Sequence, residues 1–301
     1  MKNLGEIVPI NPQLIKVIDV GGAVYNTPDR YAGLAEHYNL RIEKYDPEAR
    51  AQPEIYQREN VELTCRSDIL ADGNQQTLQL TRARQLSSLY QPDPTVVRRF
   101  RQLSWWQEEG VGPYKLEDQV SVPTARLDDV CDVASPHFLK LDVQGAELDV
   151  LRGSTRTLQS VLIIESEVEF VQIYKNQPLF SDMDIFLREQ GFQFHKMMDV
   201  EGRAIGPMRF NRSGGKSYSQ VLWADALFLK REILEAPEKL SPEELAVAAC
   251  ILHDVYRSYD FVVQLLIALE NKIGGSLSDA YYTEIKHARL DRLYMNIVDH
   301  W

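Results

Sequence analysis

The segment from Phe138 to Gly153, FLKLDVQGAELDVLRG, holds the side chains of this chain that are best suited to chemistry. Its first half alternates, which in a β-strand puts two sets of residues on opposite faces: Leu139, Leu141 and Val143 on one, and Lys140, Asp142 and Gln144 on the other. A central strand of a doubly wound sheet is normally apolar throughout, because helices cover both of its faces. Burying isolated charges there costs several kcal/mol, roughly the penalty known for buried ions, and chains tend to carry such a cost at functional sites. The pattern favours a reactive site, with a self-neutralising Lys140–Asp142 ion pair as the alternative.

Carboxylates are the candidate catalytic groups. Asp142 would lie near the carboxyl end of the strand and is the best candidate for a general base, with Lys140 tuning its charge or steering the substrate. Glu165 and Glu167 share one face of the next expected strand. Such clustering can raise the pKa of one carboxyl towards neutrality, as a general base requires. The same oxygens suit a divalent cation; we favour a site without a metal. Glu147, in the first turn of the following helix, either caps that helix or faces the cleft.

The first two expected strands end in residues that suit a bound ligand. Asp19, Gly21 and Gly22 occur together in VIDVGG, and Asp46 follows the second strand. In open α/β sheets, ligands bind beyond the carboxyl ends of the strands. The glycines would let the backbone approach a ligand, Asp19 could accept hydrogen bonds from it, and Asp46 could hold both hydroxyls of a ribose. A nicotinamide dinucleotide is not favoured, because the G-x-G-x-x-G spacing is missing.

The elements that would position these residues alternate between strand and helix. Strands are predicted at 15–20, 40–45, 61–65, 138–144, 161–165, 192–197 and 222–229, and helices at 28–38 and 182–190. This order predicts an α/β fold with a doubly wound, mostly parallel Rossmann-like sheet. Residues 77–81 follow the turn signal Asp72-Gly73-Asn74 and predict a β excursion after the third strand. The last two strands predict an antiparallel edge hairpin.

From residue 233 the pattern becomes helical, so we expect a domain over 1–232 and a helical C-terminal extension over 233–301. The run Ser241-Pro242-Glu243-Glu244 is a capping box with proline at the first helical position. Gly274-Gly275 is expected to end a second helix, and Ser278 to cap a third. The apolar residues of this tail leave three alternatives: packing on the preceding domain, covering a substrate cleft, or forming a homodimer.

Bulk composition restricts the possible partners. The 301 residues are 44% hydrophobic and 26% charged, as in an ordinary globular protein, and the net charge of −11 argues against binding to a nucleic-acid backbone. Cys65, Cys131 and Cys250 are scattered without metal-ligand spacing, which predicts reduced thiols. We found neither an apolar leader nor a membrane-spanning run, so we expect no membrane partner and a cytoplasmic location.

Taken together, the segment 138–153 and seven further motifs in order resemble the FkbM-type methyltransferases. The seven are VIDVGGA at 17–23, YDPEA at 45–49, SSLYQP at 87–92, TARLDD at 124–129, IIESEVEF at 163–170, IYKNQPLF at 173–180 and WADALFL at 223–229. The resemblance covers roughly residues 15 to 232. It implies a class I methyltransferase that uses S-adenosylmethionine and acts on a small-molecule acceptor, a hydroxyl of a sugar or a secondary metabolite.

The resemblance also implies roles for matching residues. It assigns cofactor binding to Asp19, Gly21, Gly22 and Asp46, with Asp68 as a looser counterpart of the adenine-contacting position. For a methyl transfer, our candidates for catalysis, from their places at the strand ends, are Asp142, Lys140, Glu165 and Glu167. The candidates for acceptor contacts are Gln144, Glu147 and Tyr174. Gln144 is neutral where the family often has glutamate, which speaks against a metal ligand there.

One stretch departs from the family pattern. The family's glycine loop usually continues with asparagine and another glycine, whereas this chain has Ala23-Val24-Tyr25. The cofactor pocket is therefore either reshaped and working, or weakened. In the second case the chain would be a catalytically weak or inactive cofactor-binding protein that acts through interactions.

Overall fold

The computed structural model of this chain describes residues 2–21, 29–47, 54–100, 112–206 and 220–287. The strands in these ranges are β1 Ile15–Val20, β2 Leu40–Tyr45, β3 Val61–Arg66, β4 Gln75–Thr81, β5 Leu116–Pro123, β6 Phe138–Leu141, β7 Ile163–Glu169, β8 Phe192–Arg203 and β9 Gln220–Lys230. The α-helices are α1 Leu4–Ile7, α2 Pro94–Val97, α3 Leu127–Val130, α4 Glu147–Arg152, α5 Phe180–Glu189, α6 Glu232–Glu235, α7 Pro242–Asp254, α8 Tyr259–Ile273 and α9 Leu277–His287. Short 3-10 helices cover Arg30–Glu36, Glu54–Gln57, Arg84–Leu86, Gly112–Tyr114, Thr157–Gln159 and Pro237–Lys239.

Within the described ranges, seven strands form one sheet in the order β3-β2-β1-β6-β7-β9-β8. The pairs from β3 to β7 are parallel, while β9 runs antiparallel to both β7 and β8. The predicted doubly wound sheet with an antiparallel edge hairpin is thus confirmed. Chain order reverses between β1 and β6, and in such sheets that reversal opens a crevice at the carboxyl ends of the two strands.

The sheet separates two hydrophobic cores. On one face, apolar side chains of β1, β2, β6 and β9 pack against α7 and α8. On the other face, α3, α4 and α5 cover residues such as Ile18, Leu139 and Phe228. Strands covered on both faces read as apolar runs, which is why β1 and β7 could be recognised from sequence.

The C-terminal helices form one of the layers that cover the sheet. Every residue of α7 from Leu245 to His253 is buried, and Leu265, Leu266 and Leu269 of α8 share the same core. Of the three alternatives for the tail, the structure shows packing on the sheet. A domain boundary at residue 232 and a homodimer both stay predictions.

Several element boundaries differ from those expected. The segment predicted as a helix over 28–38 is a 3-10 helix over Arg30–Glu36, and residue 28 lies outside the described ranges. Strand β6 ends at Leu141, because positive φ angles at Gln144 and Gly145 turn the chain before α4. The third tail helix begins at Leu277, so Ser278 lies inside the helix and is not its N-cap. The backbone N–H of Ser278 donates to Glu270 Oε1 (2.6 Å).

The predicted β excursion is confirmed as a separate two-stranded antiparallel sheet of β4 and β5. Residues 84–89 turn back beneath it, since the backbone groups of Ser88 and Gln79 exchange hydrogen bonds. This small sheet extends over the carboxyl edge of the large one and forms a wall of the cavity described next.

Candidate active site

A cavity of about 310 Å³ opens at the carboxyl ends of β1, β2, β3 and β6. Five of the residues predicted to act on a ligand line it: Gly21, Asp46, Asp68, Asp142 and Gln144. The opposite wall comes from Leu78 and Leu80 of β4 and from residues 84–89. Cavities of this size hold small organic ligands, and this one lies where the strand order reverses, as expected for ligands of open α/β sheets.

Gly21 brings two strands into close contact at the floor of the cavity. Its φ is +81°, and a Cβ added there would lie 1.8 Å from the carbonyl oxygen of Asp142, so no other residue type fits. The Gly21 N–H donates to the Tyr45 carbonyl (2.8 Å), and the Asp142 N–H donates to the Val20 carbonyl (2.9 Å). These contacts fix the ends of β1, β2 and β6 relative to one another.

Asp19 does not line the cavity. Its side chain is fully buried and belongs to a group that we call the buried charge quartet: Asp19 and Lys44, which are buried, and Asp29 and Lys140, whose side chains are 13% exposed. Lys44 Nζ lies 3.0 Å from Asp19 Oδ2 and 2.5 Å from Asp29 Oδ2. Lys140 Nζ lies 3.6 Å from Asp19 Oδ1 and 3.6 Å from Asp29 Oδ1. Two ammonium groups thus neutralise two carboxylates in the interior.

Two tyrosine hydroxyls donate hydrogen bonds to the aspartates of the quartet. Tyr31 donates its hydroxyl to Asp19 Oδ2 (2.7 Å), and Tyr56 donates to Asp29 Oδ2 (2.8 Å). Burial by itself would raise the pKa of Asp19, but the ammonium groups of Lys140 and Lys44 outweigh burial and lower it. Burial would likewise lower the pKa of Lys140, yet the carboxylates of Asp19, Asp142 and Asp29 raise it well above its ordinary value. Asp19 and Lys140 are therefore both charged at neutral pH.

Glu165 faces away from the cavity, beside Arg30. The guanidinium of Arg30 contacts Glu165 Oε1 (3.3 Å), Asp199 Oδ2 (3.0 Å) and Asp225 Oδ2 (2.7 Å), and Tyr256 donates its hydroxyl to Glu165. Burial, with Glu165 nearby, raises the pKa of Asp225 to about 6. Asp29 and Arg30 thus attach the chain that follows residues 22–28 to both halves of the sheet.

Asp142 and Glu167 are joined through Gln144. The Gln144 side-chain amide donates from Nε2 to Asp142 Oδ1 (3.0 Å) and to Glu167 Oε2 (3.1 Å). Gln144 has a φ of +59°, a backbone conformation that costs a non-glycine residue of order 1 kcal/mol or more. Such a strained residue, with its side chain between two carboxylates on the cavity wall, is typical of a functional site.

Four acidic residues form a carboxylate cluster beside the cavity: Asp142, Glu147, Glu167 and Glu169. Glu147 Oε1 accepts from the backbone N–H groups of Val143 (2.8 Å) and Gly145 (3.2 Å), and burial raises its pKa to about 7. Burial and the Asp142 carboxylate raise the pKa of Glu167 well above its ordinary value. Burial and the Glu147 carboxylate do the same for Glu169. The cluster therefore retains protons near neutral pH.

Tyr174 is buried behind the cluster. Its hydroxyl donates to the Leu86 carbonyl (2.9 Å) and lies 3.5 Å from Gln144 Oε1, and its N–H donates to Gln177 Oε1 (2.6 Å). Through these contacts Tyr174 connects the loop after β7 to the wall formed by residues 84–89.

The predicted site residues thus fall into three positions. The residues on the cavity wall are Gly21, Asp46, Asp68, Asp142 and Gln144. The residues that do not line the cavity but contact its wall or the charges beside it are Asp19, Lys140, Glu147, Glu167 and Tyr174. Glu165 pairs with Arg30, and Gly22 lies outside the described residues. Sequence reasoning did not identify Lys44, Asp29 and the leucines of β4. Lys44 had one recognisable signal, since it breaks the apolar alternation of Leu40 and Ile42.

Neither a metal site nor a membrane-spanning helix occurs in the described part of the chain. No group of three or more His, Cys, Asp or Glu side chains there is arranged to hold a metal ion. Nor does any helix in those ranges combine the length and the apolar surface needed to cross a bilayer.

Comparison with known proteins adds two findings. The family model described as "Methyltransferase FkbM domain" matches residues 25–194. The 2-O-methyltransferase NoeI of Sinorhizobium fredii (strain NBRC 101917 / NGR234) is 37% identical over 75 residues, which are 24% of this chain and 31% of that protein. The match thus spans less than a third of that relative's length. No solved structure matches this chain.

Proposed function

Because this chain belongs to the FkbM family of methyltransferases, we propose that it transfers the methyl group of S-adenosylmethionine to a hydroxyl oxygen of a sugar or a secondary metabolite. The name of its relative, a 2-O-methyltransferase, supports oxygen as the acceptor atom. The observation that carries the proposal is the cavity, whose wall joins Gly21, Asp46 and Asp142 from three adjacent strands.

The cavity residues fit this methyl donor. The close approach at Gly21 leaves bare backbone facing a ligand, where any side chain would clash with Asp142. Asp46 would accept from both ribose hydroxyls, and Asp68 would contact the adenine. Leu78 and Leu80 supply an apolar wall for a flat ring. When bound, S-adenosylmethionine supplies an electrophilic methyl group, and the protein must align the acceptor and remove its proton.

Asp142 is the proposed general base. It lies on the cavity wall, whereas Lys140, Glu165 and Glu167 are absent from that wall. A hydroxyl held within hydrogen-bond distance of its Oδ2, the oxygen that does not accept from Gln144, would lose its proton to Asp142 as the new bond forms. Gln144 would orient the carboxylate through its amide donor. Glu167, with its raised pKa, would keep a proton and so limit the repulsion on Asp142.

The test separates donor binding from turnover. Calorimetry with S-adenosylhomocysteine would be run on the wild-type protein and on Asp46→Asn and Asp142→Asn. Turnover would be followed as S-adenosylhomocysteine formed with a panel of mono- and oligosaccharides and polyhydroxylated metabolites. Asp46→Asn should weaken binding about 10-fold or more, since both ribose hydrogen bonds lose their charged acceptor, each worth roughly 1.5–3 kcal/mol. Asp142→Asn should bind within a few-fold of wild type and lose about 100-fold or more in rate.

Three results would contradict the proposal or parts of it. A wild-type protein that does not bind S-adenosylhomocysteine would contradict the whole of it. Full turnover by Asp142→Asn would remove that residue from the mechanism. Tight binding without turnover on any acceptor would favour the catalytically weak, cofactor-binding protein that the altered run Ala23-Val24-Tyr25 leaves open.

A further inference from the structure

We propose that the buried charge quartet preorganises the donor site, and that Lys44 and Lys140 are positioning residues for the methyl donor. This inference rests on the proposed function, because it assumes that the cavity takes S-adenosylmethionine. Neither lysine lines the cavity, and the side chains of Lys44 and Lys140 are only 2% and 13% exposed, so we assign both to positioning and not to contact with the reacting atoms.

The quartet lies at the carboxyl ends of β1, β2 and β6, directly before residues that line the cavity. Lys44 is the register neighbour of Asp19 on one side, and Lys140 is its neighbour on the other. Both ammonium groups also reach Asp29, the first described residue after 22–28. At the other end of that segment, Gly21 is held by its hydrogen bond to the Tyr45 carbonyl. Gly21 and Asp29, the described residues on either side of 22–28, are thus both held to β2, and Asp29 is also held to β6.

The quartet also reaches the proposed base. Lys140 Nζ lies 4.0 Å from Asp142 Oδ2, while the other Asp142 oxygen accepts from Gln144. Lys140 therefore contacts carboxylates of β1, of the segment after 22–28, and of the cavity wall. The ammonium group of Lys140 thus links Asp29, which follows 22–28, to Asp142, the residue that would act on the acceptor.

Stability alone does not account for these charges. Buried ion pairs can often be replaced by apolar residues of similar volume without loss of stability. Two residues earlier in each of the three strands, the same face is apolar: Val17, Ile42 and Phe138 lie in the hydrophobic core. On these three strands the charges follow that apolar row towards the carboxyl ends, next to the cavity. Moreover, Asp19 Oδ1 is buried without a hydrogen bond, so its compensation depends on Lys140.

The experiment compares two charge-neutral double variants by calorimetry with S-adenosylhomocysteine. Asp19→Asn/Lys140→Met removes one carboxylate and one ammonium group from the quartet and leaves Lys44 paired with Asp29. The matched control, Arg41→Met/Glu62→Gln, removes another register pair of the same sheet, an ion pair of 3.7 Å on β2 and β3. Melting temperatures are recorded for all proteins, so that a loss of binding can be separated from a loss of folded protein.

The quartet variant should stay folded yet bind S-adenosylhomocysteine about 10-fold or more weakly, because apparent affinity falls with the fraction of molecules in which the site is competent. The control should bind like the wild type. Equal binding by the folded quartet variant would overturn the inference and leave the proposed function intact, whereas failure of the wild type to bind would contradict the proposed function itself.

Lys140→Arg keeps the charge and serves as a second variant if the double variant does not fold. A planar guanidinium cannot reproduce a point charge shared among three carboxylates. Its affinity for S-adenosylhomocysteine should fall while its melting temperature stays near that of the wild type. Unchanged affinity in folded Lys140→Arg would equally overturn the inference.

Discussion

Two polar groups of residues lie side by side at the carboxyl edge of the sheet and differ in charge balance. The buried charge quartet pairs two lysines with two aspartates, and the shifted pKa values of Asp19, Lys44 and Lys140 keep these three side chains ionised at neutral pH. The carboxylate cluster has four acids, and the pKa values of Glu147, Glu167 and Glu169 are raised. Lys140 and Asp142, two residues apart, form the contact between the two groups.

The difference in charge balance indicates different roles for the two groups. A balanced set of fixed charges exchanges no protons near pH 7, so it is suited to holding backbone segments in place. A set of crowded acids shares protons in that range, so it is suited to general-base chemistry. Asp142 belongs to the second group and is steadied by the first.

The largest effect is expected from breaking the quartet on one side. Lys140→Met leaves Asp19 and Asp29 with a single ammonium group in a buried environment. Removing one partner of a buried ion pair costs about 3–5 kcal/mol, and urea unfolding at pH 7 should show a loss of that order. Lys239→Met, at an exposed lysine, is the control and should change stability little. A Lys140→Met protein as stable as the wild type would mean that the quartet is not a closed electrostatic unit.

A pH-dependent gain of stability is expected from Glu147→Gln. The folded protein holds the Glu147 proton up to a pKa of about 7, against 4.5 for the free side chain, so the folded state binds more protons between these values. The wild type therefore loses stability as pH rises through this window. The amide oxygen of Gln can still accept from Val143 and Gly145, so near pH 5, at the lower end of this window, the variant should gain only about 1 kcal/mol.

At pH 8 the gain should approach roughly 3 kcal/mol, since one pKa unit corresponds to about 1.4 kcal/mol. Glu147→Ala separates charge from hydrogen bonding: it should gain with pH in the same way but lie below Glu147→Gln throughout, because two backbone donors lose their acceptor. Urea unfolding between pH 5 and 8 measures both. A gain independent of pH would show that Glu147 is ionised in the folded state and does not belong to the cluster.

Much of the fold could be predicted because strands covered on both faces carry continuous apolar runs. For β1 and β2 the predicted and observed bounds agree, and Lys140 and Asp142 were recognised because they break such a run. Lys44 breaks the apolar alternation of Leu40 and Ile42 on one face of β2, but the other face already carries Arg41 and Glu43, so a further polar residue near the end of this strand is ordinary, and its partners lie far away in sequence. Pairings of this kind depend on which strands become neighbours, and local patterns do not contain that information.

Conformations set by tertiary contacts were also out of reach. Gln144 was expected to continue a strand, yet it adopts a positive φ, and its amide bridges Asp142 and Glu167 on two different strands. Likewise, the apolar tail was compatible with three arrangements. The apolar face of a helix indicates that it must be buried, but the sequence of the helix does not indicate which surface buries it. Gly21 and Asp46, which line the cavity, had a local signal, since each follows directly after a predicted strand.

The smallest effect is expected at Tyr174, where the prediction separates scaffold from substrate contact. Tyr174→Phe removes the hydrogen bond to the Leu86 carbonyl, which should cost about 1 kcal/mol of stability. If Tyr174 only supports the wall, turnover should stay within a few-fold of the wild type once an acceptor is known. A much larger loss of turnover at unchanged stability would move Tyr174 into contact with the acceptor, as its motif suggested.

The most direct measurement is a crystal structure of this protein with S-adenosylhomocysteine. The account predicts the ribose hydroxyls within hydrogen-bond distance of Asp46, the adenine beside Asp68 and Leu78, and the open side of the sulfur directed towards Asp142. The quartet should be unchanged beneath the ligand, with Lys140 still between Asp19 and Asp142. A ligand bound outside the cavity, or a sulfur facing away from Asp142, would contradict the account.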